Sequence, residues 1–141
     1  RRSDGKIFVG ERSDIAGAWQ FPQGGVDEGE DLIGAMYREL REETGVSRKL
    51  AKLRECRTGY RYKFPNGHIK KGVWCGQEQT YFLCDFKGED SDIDLEFEDH
   101  EFVRFQWIEP AEFSLKWLPG FKRKVYKRVI RDFFGASLKK G

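Results

Sequence analysis

Two stretches of the chain carry apolar residues at helical spacing. Leu32, Ala35, Met36 and Leu40 fall on one face, and Gly45 follows as a C-terminal stop, which predicts a helix over 31–44. Phe121, Val125, Tyr126, Val129, Ile130 and Phe133 predict a second helix over 121–134, with Lys122, Arg123, Lys124, Lys127, Arg128 and Arg131 on its other face. Elsewhere the apolar residues come in short extended runs. A Ser3-Asp4-Gly5 turn leads into a strand at Lys6 to Val9, and a second extended piece, Trp19 to Pro22, is stopped by Pro22 and the Gly24-Gly25 pair. Further strands are expected at 50–58, 59–64, 77–86 and 102–108, with a Pro65-Asn66-Gly67 turn among them. The acidic stretch 87–92 reads as a surface loop, and no internal repeat interrupts the pattern. Helices flanking a β-rich centre predict an α/β protein, a three-layer α/β/α sandwich around a mixed sheet.

Length and composition narrow this picture. The 141 residues suit one domain, expected to span 1–141, with a core that needs no disulfide or structural metal. No apolar run approaches the roughly 18 residues of a membrane span, so no membrane role is expected. A formal net charge of +2 excludes a general polycation, so any basic site must be local. Cys56, Cys75 and Cys84 are odd in number and lack metal-ligand spacing, which argues against a disulfide framework and a zinc site. A reducing cytoplasm fits them best, and each is expected to behave as a small buried hydrophobe. No signal peptide is visible, and nothing calls for an obligate protein partner.

The chemistry concentrates at Arg38-Glu39-Leu40-Arg41-Glu42-Glu43. On a helix Glu39 faces Glu42 and Glu43 at spacings of three and four, where like charges cost roughly 0.2–0.5 kcal/mol per pair. A hard divalent cation with oxygen ligands would compensate, and Glu30, one turn before the helix, could add a carboxylate. The alternative on charge alone is a solvated face in which Arg38 pairs with Glu42 and other basic neighbours absorb the rest.

Spacing decides between the two. Gly24, Glu30, Arg38, Glu39, Leu40, Glu42, Glu43, Gly45 and Val46 match every defined position of the Nudix box, a coincidence of order one in a billion per starting position at ordinary residue usage. The chain therefore resembles the Nudix hydrolases. That resemblance implies the Nudix fold, a loop-helix-loop metal site, and Mg²⁺-dependent hydrolysis (Mn²⁺ being an alternative) of a phosphoanhydride in a nucleoside diphosphate linked to another group. By position Glu39, Glu42 and Glu43 correspond to metal ligands, and Arg38 to the arginine that orients a motif carboxylate. Glu30 with Gly24, Gly25 and Gly45 shapes the loop. The proton of an attacking water must go to a carboxylate, because His68 and His100 both lie outside the motif. Glu43, Glu42 and Glu101 are the candidates.

Flanking segments extend the resemblance over most of the chain. Trp19-Gln20-Phe21-Pro22-Gln23-Gly24-Gly25, Gly76 to Leu83 and Phe121 to Tyr126 are similar to those of bacterial RNA 5′-pyrophosphohydrolases and dinucleoside tetraphosphate hydrolases. Glu101-Phe102 followed by Trp107 resembles the late metal-ligand strand of that group, which makes Glu101 a further ligand or base. Substrate contacts are expected from Gln23, from Lys122 and Arg123 on a terminal phosphate, from Arg12 as a bidentate clamp, and from Tyr62 and Phe121 by stacking on a base. Gln77 and Gln79 alternate along one strand face and suit a polar pocket wall. The resemblance also implies a strand ahead of Lys6, which the few residues before Lys6 are not expected to supply. The substrate stays open at this stage between a 5′-triphosphate RNA end and a dinucleoside polyphosphate such as diadenosine tetraphosphate. A nucleotide-sugar or housecleaning nucleotide hydrolase and a non-catalytic nucleotide or RNA sensor are the other readings.

Overall fold

The structure is a computed structural model that describes residues 1–25, 27, 29–63 and 76–138, with the backbone alone of Lys63, Gly76 and Gln77. The expected Pro65-Asn66-Gly67 turn, His68 and Cys75 lie outside the described residues. Among the described residues five strands and two α-helices follow in the order β1 (Ile7–Arg12), β2 (Trp19–Gln20), α1 (Leu32–Thr44), β3 (Ala51–Lys63), β4 (Gly76–Phe86), β5 (Phe102–Ile108) and α2 (Gly120–Phe134), with short 3₁₀ turns between.

Among the described residues the strands form two antiparallel sheets, β2-β1-β5 and β3-β4, where the sequence pattern predicts one mixed sheet. A parallel step does occur at Arg1, whose backbone nitrogen donates to Cys84 O at 2.7 Å while Phe86 N donates to Arg1 O at 2.7 Å. Between the two sheets lies a cavity of about 460 Å³, lined by Phe8, Met36, Leu40, Phe82 and Cys84 among others. The two strands predicted at 50–58 and 59–64 are one continuous β3. Gly59 sits at a register shift with φ +87° instead of turning the chain, because a bulge accommodates a left-handed residue without ending the ladder.

The apolar face of α2 is used as its spacing predicts. Tyr126 and Ile130 close a core with Ile7, Val9, Ile108, Phe113 and Leu118, and Val125 and Val129 pack on Tyr60 and Tyr62. Phe21 stacks on Tyr126 at 4.9 Å between ring centroids, and its N–H donates to the Tyr126 hydroxyl at 3.3 Å. That contact brings the loop preceding α1 to α2. A hydrogen bond from Tyr60 Oη to Asp132 Oδ2 at 2.8 Å fastens β3 to the same helix. Cys84 is half-buried, its sulfur 3.8 Å from that of Met36, whereas Cys56 is exposed on β3, contrary to its expected burial. It precedes the register shift at Gly59, so it faces solvent although Tyr60 and Tyr62, beyond the bulge, face inward. No helix among the described residues is long and apolar enough to cross a membrane.

Candidate active site

Helix α1 starts at Asp31, whose side chain accepts from Gly34 N, and stops at Gly45, which adopts φ +71° and donates to Arg41 O. These caps orient the acidic face. Arg38 stands at its centre: Nε and Nη2 grip Glu30 at 2.7 and 2.9 Å, and Nη1 reaches Glu39 at 2.8 Å and Glu42 at 3.1 Å. Its Nη2 also donates to Gly25 O at 2.8 Å. One planar guanidinium therefore ties the glycine loop to two carboxylates of the helix, which a point-charge lysine could not do. The Arg38 fork lowers the Glu30 carboxyl to about 2. Glu30 is thus the arginine's partner.

Gly24 is required by closeness. A Cβ built on it would meet the Glu39 carboxyl carbon at 2.0 Å, so the bare backbone lets the loop run directly over that side chain. Gly25 has nothing within 4 Å of such a Cβ, and its role is the carbonyl that receives Arg38.

Glu43 is the most confined acid. It is 3% exposed, and its Oε2 has no hydrogen-bond partner among the described residues. Burial first, then the neighbouring Glu39 and Glu101, push its carboxyl up to about 9, against the pull of the Gln23 backbone N–H. Burial also raises Glu39. Five carboxylates, those of Glu39, Glu42, Glu43, Asp99 and Glu101, thus gather at this end of α1, with the Arg38 fork shared among Glu30, Glu39 and Glu42 and with Arg12 and Lys122 on the Glu101 side. An all-oxygen, net-negative donor set with one buried oxygen left unpartnered fits a hard divalent cation.

The structure brings only part of the expected substrate set to this centre. Lys122, in the first turn of α2, is buried, and burial followed by the adjacent Arg12 lowers its pKa while Glu101 opposes the shift. Arg12, Lys122 and Glu101 are therefore neighbours. Arg12 is held by Asp14 at 2.8 and 2.6 Å. Arg123 instead donates through Nε to Leu118 O at 3.0 Å and pins the turn before α2. Tyr62 is 7% exposed, and its ring is packed 5.3 Å from that of Phe121, so Phe121, half-exposed, offers the more open face to a base. Gln79 accepts from the Tyr81 hydroxyl at 2.5 Å, and the Gln77 side chain lies outside the described residues.

One carboxylate of this centre and one buried amide of β2 escape a reading of the sequence alone. Gln20 is 2% exposed and its amide nitrogen has no partner among the described residues. Asp99 places a carboxylate oxygen within 4.8 Å of oxygens of both Glu39 and Glu42. Only the periodic position of Gln20 between Trp19 and Phe21 hinted at an inward amide, and Asp99 is hidden in an acidic loop without periodicity.

Comparison with known proteins bears on this arrangement. The sequence model of the NUDIX domain matches residues 1–129. The RNA pyrophosphohydrolase of Sphingopyxis alaskensis is 44% identical over 135 residues, covering 92% of this chain and 85% of that protein. The RNA pyrophosphohydrolase of Novosphingobium aromaticivorans is 44% identical over 138 residues, covering 93% and 85%. In fold the chain is similar to a C. elegans Ap4A hydrolase in a binary complex, with a TM-score of 0.65 at 22% identity over 95% of this chain and 93% of that one.

Proposed function

Because the chain belongs to the Nudix family and is a Nudix pyrophosphohydrolase, we propose that it removes pyrophosphate from the 5′-triphosphate end of RNA and leaves a 5′-monophosphate. The observation that carries the substrate is the 44% identity, over nine-tenths of the chain, with proteins named for that activity. The likeness to the Ap4A hydrolase stands at 22% identity and speaks for the fold. A purely sensing role is disfavoured by the presence of every motif carboxylate, Glu30, Glu39, Glu42 and Glu43.

Family members typically depend on a divalent metal, and in this chain Glu39, Glu42, Glu43 and Glu101 would hold Mg²⁺ or Mn²⁺. When bound, the cation supplies positive charge and Lewis acidity toward the phosphate oxygens. The protein's own groups do the rest. Arg38 fixes Glu39 and Glu42 in place through the fork described above. Lys122 and Arg12 offer two cations, one of them buried, to the polyphosphate, where low polarity strengthens their attraction. Two carboxylates can take the proton of the attacking water: Glu101 beside Lys122, and Glu43, whose own proton a bound cation would displace. Hydrolysis joins the water oxygen to phosphorus and releases pyrophosphate, one proton passing to that carboxylate.

The test is to incubate the protein with Mg²⁺ and, in parallel, with 5′-triphosphate RNA, diadenosine tetraphosphate and a nucleotide sugar, with Glu43→Gln as control. Release of pyrophosphate and 5′-monophosphate RNA by wild type and not by Glu43→Gln is expected. Preferential production of ATP and AMP from diadenosine tetraphosphate would move the assignment to that substrate, and preferential turnover of the nucleotide sugar to that class.

A further inference from the structure

The loop from Ile93 to Glu101 is clasped to the C-terminal end of α1. The last carbonyls of a helix lack intrahelical partners, and here Asp94 N donates to Thr44 O at 2.8 Å and Asp99 N to Glu42 O at 2.9 Å. A third fastening is Arg41, whose guanidinium lies 5.2 Å from the centroid of the Phe97 ring. Gly45 permits this approach, since a Cβ there would come within 2.9 Å of Asp94 Cβ and 3.0 Å of its carbonyl oxygen.

Asp99 is thereby fixed by its own backbone beside Glu42. We propose that Asp99 supplies an additional carboxylate ligand to the divalent cation of the α1 site, a reading that rests on the metal-binding role of that helix. One carboxylate oxygen each from Glu39, Glu42 and Asp99 lies within 4.8 Å of the others. Ligand oxygens of a hexacoordinate Mg²⁺ lie about 3.0 Å apart when adjacent and about 4.2 Å when opposite, given metal–oxygen distances of about 2.1 Å. The three oxygens thus need only a small contraction to share one ion. Arg38 touches one oxygen of Glu39 and one of Glu42, which leaves the second oxygen of each for the cation. Among the described residues Asp99 has no salt bridge and its carboxylate accepts no hydrogen bond. The buried Oε2 of Glu43, without a partner, belongs to the same group of acids, one turn from Glu39 on the same helix face.

A ligand differs from a merely nearby negative charge in how far its loss weakens metal binding. Mn²⁺ affinity would be measured by calorimetry and by electron paramagnetic resonance for wild type, Asp99→Asn, Glu98→Gln and Glu43→Gln, alongside the Mn²⁺-induced rise in Tm. Asp99→Asn keeps the backbone bond to Glu42, so the metal-free Tm is expected to stay close to wild type. Its Mn²⁺ Kd is expected to rise about tenfold, with a smaller metal-induced gain in Tm, whereas Glu98→Gln leaves both near wild type. Equal affinity of Asp99→Asn and wild type, with Glu43→Gln weakened, overturns the role of Asp99 and leaves the helix site standing. An equal loss in Glu98→Gln also overturns it, because the effect is then general electrostatics. Absence of Mn²⁺ binding by wild type removes the metal reading itself.

Discussion

The Glu39 carboxyl lies directly beneath the backbone of Gly24, so close that a methyl group on Gly24 would sit 2.0 Å from the carboxyl carbon. Glu39 is also held by Arg38, so it cannot yield without disturbing the whole network. Gly24→Ala is therefore expected to displace Glu39. Displacements near 1 Å can cost about 10²-fold in rate, and a kcat falling by that order, with a fold intact by circular dichroism, is the expected result. Wild-type kcat in Gly24→Ala would show that the site tolerates the shift.

Replacing Arg38 by Lys keeps the charge but loses the fork that joins Glu30, Glu39, Glu42 and Gly25. Activity is expected to fall about 10–100-fold, the range found when groups supporting a metal site are removed, and Mn²⁺ affinity should weaken with it. Steady-state kinetics and a metal titration read both. Unchanged metal affinity would confine Arg38 to holding the loop.

Metal-free stability should fall with rising pH because of Glu43. Its carboxyl is raised from the usual 4.5 to about 9 in the folded protein, chiefly by burial. The folded state then holds the proton over a window in which the unfolded chain has lost it, so stability declines from about pH 4.5 to about pH 9 and levels off above. With EDTA present, the Tm of wild type is expected to drop across that window and that of Glu43→Gln to drop less. Parallel curves for the two proteins would rule out Glu43 as the source.

The Tyr60–Asp132 hydrogen bond gives a prediction of opposite sign. Tyr60 first, then Arg131, lowers the Asp132 pKa, so this contribution is present above the unfolded pKa of an aspartate and is lost as pH falls through the folded one. Tyr60→Phe is expected to cost about 1–2 kcal/mol near neutral pH, and the gap to wild type in urea unfolding should narrow at pH 3.

Lys122→Met removes a cation while roughly keeping the volume of a buried side chain, and Arg12→Ala removes its neighbour. Each should raise KM for 5′-triphosphate RNA more than it lowers kcat, and the double variant should lose less than the sum because the two groups serve one polyphosphate. A pure kcat effect would instead place them at the reacting phosphorus.

Much of this arrangement is legible from residue order. The stripe from Leu32 to Leu40 and Gly45 gave α1 to within a residue, and the spacing of Arg38 to Glu43 singled out the acidic face, because helix geometry is local. Residue patterns could not show that Gly59 bulges instead of turning, since that depends on the partner strand. Nor could they show that Tyr62, a plausible stacking residue by type, is used up in packing on Phe121. Asp99 was invisible for the same reason: its meaning lies in a contact with Glu42, more than fifty residues earlier, and nothing in its own neighbourhood encodes it.

The clasp between α1 and residues 94–99 also makes cation affinity a readout of chain closure. A peptide spanning residues 24–46 would carry every glutamate of the motif, yet Glu101 and Asp99 would be missing from it. Holding those late carboxylates against the helix requires the entropy of closing a loop of about fifty residues, a cost that grows only with the logarithm of its length. Mn²⁺ binding followed during refolding should therefore lag behind helix formation and appear with the docking of the late loop, so the ion would report the moment at which two distant parts of the polypeptide become one site.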